Sequence, residues 1–353
     1  MQLEDLGYTD TLKRFWNEND LNDFEPARVI EEHKEQYIVR NSSGEYEAEI
    51  TGTLRYTASG REDFPAVGDW VAVTVYEGDL AIIHRILPRR SILKRSAVGR
   101  FGETQVIAAN IDHAFLILAA DRDFNLNRLE RYLTLCNASR VNPIVVLSKI
   151  DLVDAGVLSA LTERIQHRIG NIPLIPISTV TWEGLEALQA MIEKGKTYCL
   201  LGSSGVGKST LVNILSGRTV MRTDRISGST GKGRHVTSHR ALVVLPNGGL
   251  LIDNPGMREV GIADSGEGLE VTFDRIARLA GECRFKDCTH TNETGCAVRE
   301  ALQKGEIDED AYQNYLKLRK EEAYFESSLV ERRKKDRAFG KMLKNYKKHH
   351  FRK

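Results

Sequence analysis

Two short stretches of this 353-residue chain combine the residue types that grip a nucleoside triphosphate. Gly202-Ser203-Ser204-Gly205-Val206-Gly207-Lys208-Ser209 matches the pattern G-x-x-x-x-G-K-[ST]. Its glycines let backbone N–H groups approach phosphates, and a helix beginning at its end adds positive potential where the anion sits. Lys208 is expected to reach the β and γ phosphates and Ser209 to ligate Mg²⁺, with Ser203, Ser204, Val206 and Thr210 completing the cradle. The second stretch is Ser148-Lys149-Ile150-Asp151. A fixed Asp151 carboxylate accepts from both N–H groups on guanine's Watson–Crick edge, whereas adenine leaves it unpaired, a difference on the order of 10⁴-fold in discrimination. The nucleotide expected is therefore GTP or GDP. Lys149 would lie along the base plane, and Ser178 would begin the loop closing over the guanine O6 edge.

Downstream, Asp253-Asn254-Pro255-Gly256 supplies an Asp-x-x-Gly segment. Asp253 would hold Mg²⁺ through a water, and Gly256 would offer its N–H to the γ-phosphate. Between this segment and the phosphate loop lies the glycine-rich stretch 231–237, where Thr237 is the candidate second Mg²⁺ ligand. The position after the Asp-x-x-Gly segment is Met257, which has no amide to orient an attacking water. His235 is the candidate for that task, so intrinsic hydrolysis should be slow; the alternative is a solvent-exposed loop histidine with no catalytic part.

Apolar runs place these motifs at the ends of strands. Strands are expected at 111–119, 143–147, 173–177, 197–201, 240–245 and 249–252, with helices at 126–138, 155–169, 183–193 and 208–216, an alternating α/β pattern. Each nucleotide motif then follows a strand's carboxyl end. The base-reading motif precedes the phosphate loop, which reverses the usual order of these parts. A pocket is a spatial constellation, so its pieces can be reordered when old termini are joined and the chain is opened elsewhere. The opening falls just beyond the Asp253 segment.

Two further regions frame this domain. Cys283, Cys288, His290 and Cys296 follow C-x₄-C-x-H-x₅-C, the ligand set of a closed structural zinc site with no position open for catalysis. Such a site contributes about 10–16 kcal/mol to local folding. A disulfide reading would suit a secreted chain, but no signal peptide and no membrane-length apolar run is present, and five cysteines cannot all pair. Cys136 and Cys199 are expected to be small buried hydrophobes. Upstream, residues 25–87 alternate apolar and polar positions between turns at 41–44 and 77–79, the composition of a small β-barrel. Such barrels bind single-stranded or structured nucleic acid or serve as plain scaffolds.

Net charge is only +1, yet it is unevenly distributed: residues 331–353 carry +9 and the remainder −8. Phe339, Tyr346, His349, His350 and Phe351 interleave the basic tail and could stack on bases. A second basic stretch, 85–100, contains Arg85, Arg89, Arg90, Lys94, Arg95 and Arg100. An RNA partner is the reading favoured; solvated charge is the bland alternative.

Taken together, the reversed motifs, the C-x₄-C-x-H-x₅-C cluster and the V-G-D-W-V stretch at 67–71 resemble the circularly permuted, ribosome-associated GTPases called RsgA or YjeQ, over nearly the whole chain. The resemblance implies a multidomain fold: a variable extension (1–24), an N-terminal OB-fold β-barrel that binds RNA (25–95), a permuted α/β P-loop GTPase domain (96–265) and a helical zinc-binding domain with the basic tail (266–353). The stretch 261–268 is the expected linker. The resemblance also supports His235 and implies a cytoplasmic, monomeric GTP hydrolase acting in late small-subunit maturation, its partners being that subunit, its 16S rRNA and other assembly factors, with no membrane. The alternatives are a GTPase acting on another RNA or protein client and a non-hydrolysing RNA-binding module stabilised by GTP. Two residues depart from the pattern. Ser148 replaces the usual Asn, so a shorter hydroxyl must make the amide's bonds to base and loop. Asn254 stands where Ser is expected, and nothing in the sequence explains it.

Overall fold

A computed structural model describes residues 1–33, 36–96, 104–121, 124–217, 240–253 and 266–324. It contains two compact units, Met1–Lys94 with Val106–Val260, and Arg95–Gln105 with Gly261–Lys353.

The first unit opens with an element the sequence reading did not foresee. Residues 1–24, expected to be a variable extension, form a 3-10 turn at Glu4–Leu6 and helix α1 (Asp10–Glu18), capped by the Thr9 hydroxyl accepting from Leu12 N–H. Leu12 and Trp16, four apart on one face, pack with Leu6 against Trp70 and Leu87. Burial of that stripe holds the segment in place.

The barrel follows: β1 (Glu25–His33), β2 (Gln36–Arg40), β3 (Glu45–Ile50), helix α2 (Gly52–Thr57), β4 (Trp70–Tyr76) and β5 (Leu80–Ile86). Strand pairing runs β1-β2-β3-β5-β4 and back to β1, which closes the sheet in the manner of an OB-fold, with β3 and β5 parallel. Alternation does the work: β3 exposes Glu45, Glu47 and Glu49 and buries Ala48 and Ile50. Val29, Val39, Val71, Val73 and Ile83 are fully buried at its centre. The 41–44 turn forms as expected, Asn41 Oδ1 accepting from the N–H groups of Ser43 and Gly44.

After the two-stranded ribbon β6 (Ile92–Ser96) and β7 (Thr104–Ala109) comes the α/β domain. Its elements are β8 (His113–Ala119), α3 (Leu126–Ser139), β9 (Asn142–Ser148), α4 (Ala155–Ile169), β10 (Leu174–Pro176), α5 (Leu185–Ala190), β11 (Thr197–Gly202), α6 (Lys208–Ser216), β12 (Arg240–Val244) and β13 (Leu250–Asp253). The strands order as β10-β9-β8-β11-β13-β12, the first five parallel and β12 antiparallel. Helices α3 and α4 contribute Leu129, Leu133, Leu161 and Ile165 to the core on one face, and α5 and α6 contribute Leu188, Leu211 and Leu215 to the core on the other. Covered on both faces, strands such as β8 and β9 are apolar almost throughout. Barrel and α/β domain share one sheet, because β1 pairs with β12 at Glu31↔Ala241 and Glu32↔Arg240.

Four cations of the basic stretch 85–100 are engaged by this scaffold. Arg89 makes a two-pronged pair with the buried Asp69 and donates to the Glu62 and Phe64 carbonyls. Arg90 pairs with Asp112, Lys94 with Glu62, and Arg85 lies over the Phe15 ring. Charges neutralised in this way offer little to a phosphate backbone.

In the second unit, α7 (Gly266–Thr272), α8 (Asp274–Ala280), α9 (Ala297–Gln303) and a helix over 309–324 gather Leu269, Phe273, Ile276, Val298 and Leu318 into a core of their own. Helix α7 begins at Gly266, so the last three residues of the expected linker are helical.

Candidate nucleotide site and metal cluster

Every described nucleotide residue stands at the carboxyl edge of the parallel strands. Strand β11 ends at Gly202, whose Cβ, if present, would lie 2.8 Å from the Ile117 carbonyl, so only glycine allows the turn to leave the sheet here. Gly205 (φ 83°) and Gly207 (φ 99°) then adopt left-handed backbone that turns the loop into α6. At Gly207 no described residue beyond its neighbours in the chain lies within 4 Å of the Cβ position, so among the described residues the approach to the helix N-terminus is open. Lys208 Nζ lies 2.7 Å from the Gly202 carbonyl, within the loop it belongs to. Ser203, Ser204, Ser209 and Thr210 are part-exposed along the loop, and Val206 is buried beneath it. This is a cradle of N–H groups, one lysine and a hydroxyl, which fits a triphosphate with its Mg²⁺.

The base-reading segment follows β9 and meets that loop directly. Ser148 Oγ lies 2.7 Å from the Val206 carbonyl and 3.0 Å from the Leu118 carbonyl, and its single proton serves both. Motifs 58 residues apart in the chain thus share a hydrogen bond at one site. Ser148 is only 3% exposed, and both acceptors of its hydroxyl are protein carbonyls. Lys149 takes a left-handed backbone (φ 62°) that sharply ends the strand, and its Nζ pairs with Asp121 Oδ2 at 2.7 Å. Asp151 is exposed, one carboxylate oxygen accepting from the Ser178 hydroxyl at 2.6 Å. Ser178 is fully buried and also accepts from the Val180 and Thr181 N–H groups, so the loop after β10 fixes the carboxylate's orientation. Ile150 is buried and anchors the turn.

Asp253 ends β13, the neighbour of β11. Burial pushes its carboxyl up to about 6 against the opposing pull of the Lys208 charge, and a cation beside it would hold it ionised. His235, Thr237, Asn254, Gly256, Met257 and the tail 331–353 lie outside the described residues. Asp121, the partner of Lys149, was not expected from the sequence; its only signal was a polar residue closing the apolar run of β8.

In the second unit the sulfurs of Cys283, Cys288 and Cys296 and a ring nitrogen of His290 lie within 4.8 Å of one another. Cys283 and Cys296 sulfurs are 3.8 Å apart, and His290 Nδ1 is 3.6 and 3.5 Å from them. A tetrahedral centre with metal–sulfur bonds of about 2.3 Å has sulfur–sulfur edges of about 3.8 Å. The cluster therefore has the dimensions of a four-coordinate site. His290 (φ 63°) reaches it through a left-handed turn held by the Tyr312 hydroxyl donating to its carbonyl at 2.6 Å. Burial, with the neighbouring thiols, pushes the Cys288 thiol up to about 12, so a bound cation is what would keep that sulfur a thiolate. Cys136 and Cys199 are buried in the sheet core, where burial raises both thiols well above their usual range.

A family model described as RsgA GTPase matches residues 86–263. The chain belongs to the RsgA GTPase family. It is a GTP hydrolase with the circularly permuted fold, and it binds GTP or GDP with Mg²⁺. The "Small ribosomal subunit biogenesis GTPase RsgA" of Opitutus terrae is 43% identical over 337 residues, covering 92% of this chain and 90% of that protein. "RsgA 1" of Bacteroides thetaiotaomicron, of the same description, is 39% identical over 346 residues, covering 97% and 96%. Among solved structures, YjeQ from Thermotoga maritima aligns with a TM-score of 0.63 at 26% identity, covering 87% of this chain and 98% of that one. YloQ, described as a circularly permuted GTPase, aligns with a TM-score of 0.60 at 23% identity over 88% of this chain and 96% of that one, a likeness of fold. An ABC transporter model also matches residues 185–352. That span includes the phosphate loop but not Ser148–Asp151, so it shares the phosphate grip and not the base reading. Among the described residues no helix is long and apolar enough to cross a membrane.

Proposed function

We propose that this RsgA-family chain acts in late maturation of the small ribosomal subunit, docking through 16S rRNA in the GTP state and releasing after hydrolysis. Its relatives' names carry the ribosomal part, and the chain aligns with them over nearly their whole length. The chemical part rests on one contact, the Ser148–Val206 hydrogen bond that brings base-reading and phosphate-gripping loops into a single site.

Within that site Asp151, oriented by Ser178, would select guanine, while Lys208 and the 202–210 backbone would hold the phosphates. Ser209 and Thr237 would hold Mg²⁺ directly and Asp253 through a water; the ion supplies charge neutralisation between the β and γ phosphates. His235 would position the attacking water and Gly256 would contact the γ-phosphate. The Cys283–Cys288–His290–Cys296 cluster would hold one structural Zn²⁺. The chain is read as a cytoplasmic monomer, with other assembly factors as further partners. GTP turnover with and without purified small subunits tests the reading. Stimulation by the subunit is expected; basal turnover alone would indicate another client, and no turnover a GTP-stabilised binding module.

A further inference from the structure

The barrel carries a groove on the side of β2, β3 and β5 that faces away from its core. Strand register sets Glu31, Ile38, Glu47, Leu80 and Tyr76 side by side in one cross-strand row. The next row brings Glu49 beside Ile82. Together they form a groove of about 470 Å³ in which Ile38, Leu80, Ile82 and Tyr76 supply apolar surface and Glu47 and Glu49 the charge. Leu80 and Tyr76 are each about half exposed, at 52% and 51%. Among the described residues no lysine or arginine lines the groove. Arg40 is matched by Glu45 at 2.9 Å, and His33, which lines the groove, lies 3.0 Å from Glu31.

We propose that this groove docks a lysine- or arginine-rich segment of a partner protein in which apolar residues alternate with the charges. The Glu47 and Glu49 carboxylates repel a phosphate backbone, which makes the adjacent Tyr76 a poor base-stacking platform. The same carboxylates attract a basic segment, and the apolar surface between them accepts its alternate side chains. The barrel is closed, so recognition falls to side chains and not to a free strand edge.

The test uses the full-length chain with GDP and Mg²⁺, and three probes: a labelled twelve-residue peptide alternating Lys and Val, its Glu–Val analogue, and a twelve-nucleotide oligouridine. The Lys–Val peptide is expected to bind saturably and the Glu–Val peptide not at all. Glu47→Lys with Glu49→Lys should weaken the Lys–Val peptide at least tenfold at low salt, and Leu80→Ser at least threefold. GDP affinity, set at a different site, should stay unchanged in both variants, and oligouridine affinity should stay unchanged in Leu80→Ser. The proposal is overturned if the wild type shows no saturable binding, or if charge reversal leaves peptide affinity intact. It is equally overturned if Leu80→Ser weakens oligouridine binding, which would make this an RNA face, or if charge reversal abolishes self-association in sedimentation, which would assign the groove to a second copy.

Discussion

Replacing Ser148 by alanine removes the one hydroxyl that ties the base-reading segment to the phosphate loop. Its oxygen is 2.7 Å from the Val206 carbonyl and 3.0 Å from that of Leu118, in a position 3% exposed, so no solvent replaces the lost donor. A buried acceptor left unsatisfied costs about 1–3 kcal/mol. Val206 sits within the phosphate loop, so part of that cost should fall on the geometry that binds nucleotide. At about 1.4 kcal/mol per tenfold, GDP affinity should weaken by about tenfold, within a range of roughly fivefold to a hundredfold. Preference for guanine over adenine should survive, because Asp151 and Ser178 are untouched. Ser148→Asn, whose amide has two N–H donors, should bind GDP at least as tightly as the wild type. Calorimetric titration with GDP at fixed Mg²⁺, paired with thermal unfolding, reads both quantities. A Ser148→Ala protein that melts earlier but binds GDP within twofold of wild type would show that the bond supports the fold alone, and the reasoning would fail.

Other expectations follow from the same contacts. Metal analysis should find one zinc per chain; Cys296→Ser or a strong chelator should remove it and abolish protection of the 266–324 amides in hydrogen exchange, while GDP binding persists. His113 stacks on Tyr198 with ring centroids 5.2 Å apart, and burial lowers its pKa against the pull of Asp112. A depressed histidine gives stability that is present above its unfolded pKa near 6.5 and lost as pH falls through the lower folded value. His113→Phe should therefore flatten the decline in melting temperature below pH 6.5, and an unchanged decline would clear His113 of the effect. His235→Ala should keep GDP affinity within about threefold while lowering subunit-stimulated turnover at least tenfold in a single-turnover assay.

Much of the candidate nucleotide site's scaffold was legible because its signals are local. Glycines at fixed offsets between an apolar strand and a helix gave the phosphate loop, and α6 was expected over the same residues, Lys208–Ser216, that form it. Helix α5 came out shorter than the expected 183–193, since Gly184 (φ 73°) starts it after a left-handed turn and the chain leaves helix at Met191. What stayed hidden depends on partners far along the chain. Arg89 and Arg90 read as free charge because Asp69, 20 residues from Arg89, and Asp112, 22 residues from Arg90, neutralise them only in the fold. Helix α1 read as an extension because Leu12 and Trp16 find their apolar partners at Trp70 and Leu87. The Asp121–Lys149 pair spans 28 residues and carries no motif. The pairing of β1 with β12, which joins barrel to α/β domain, spans the whole permuted region.

The central claim is that Asp151 and the Gly202–Ser209 loop hold opposite ends of one guanine nucleotide. Competitive titration of wild-type and Asp151→Ala protein with GDP and ADP addresses it directly. One GDP site per chain is predicted, with the substitution lowering GDP affinity by about three to four orders of magnitude while leaving the weak ADP affinity nearly unchanged. Undiminished GDP affinity in Asp151→Ala, or two independent sites per chain, would contradict it.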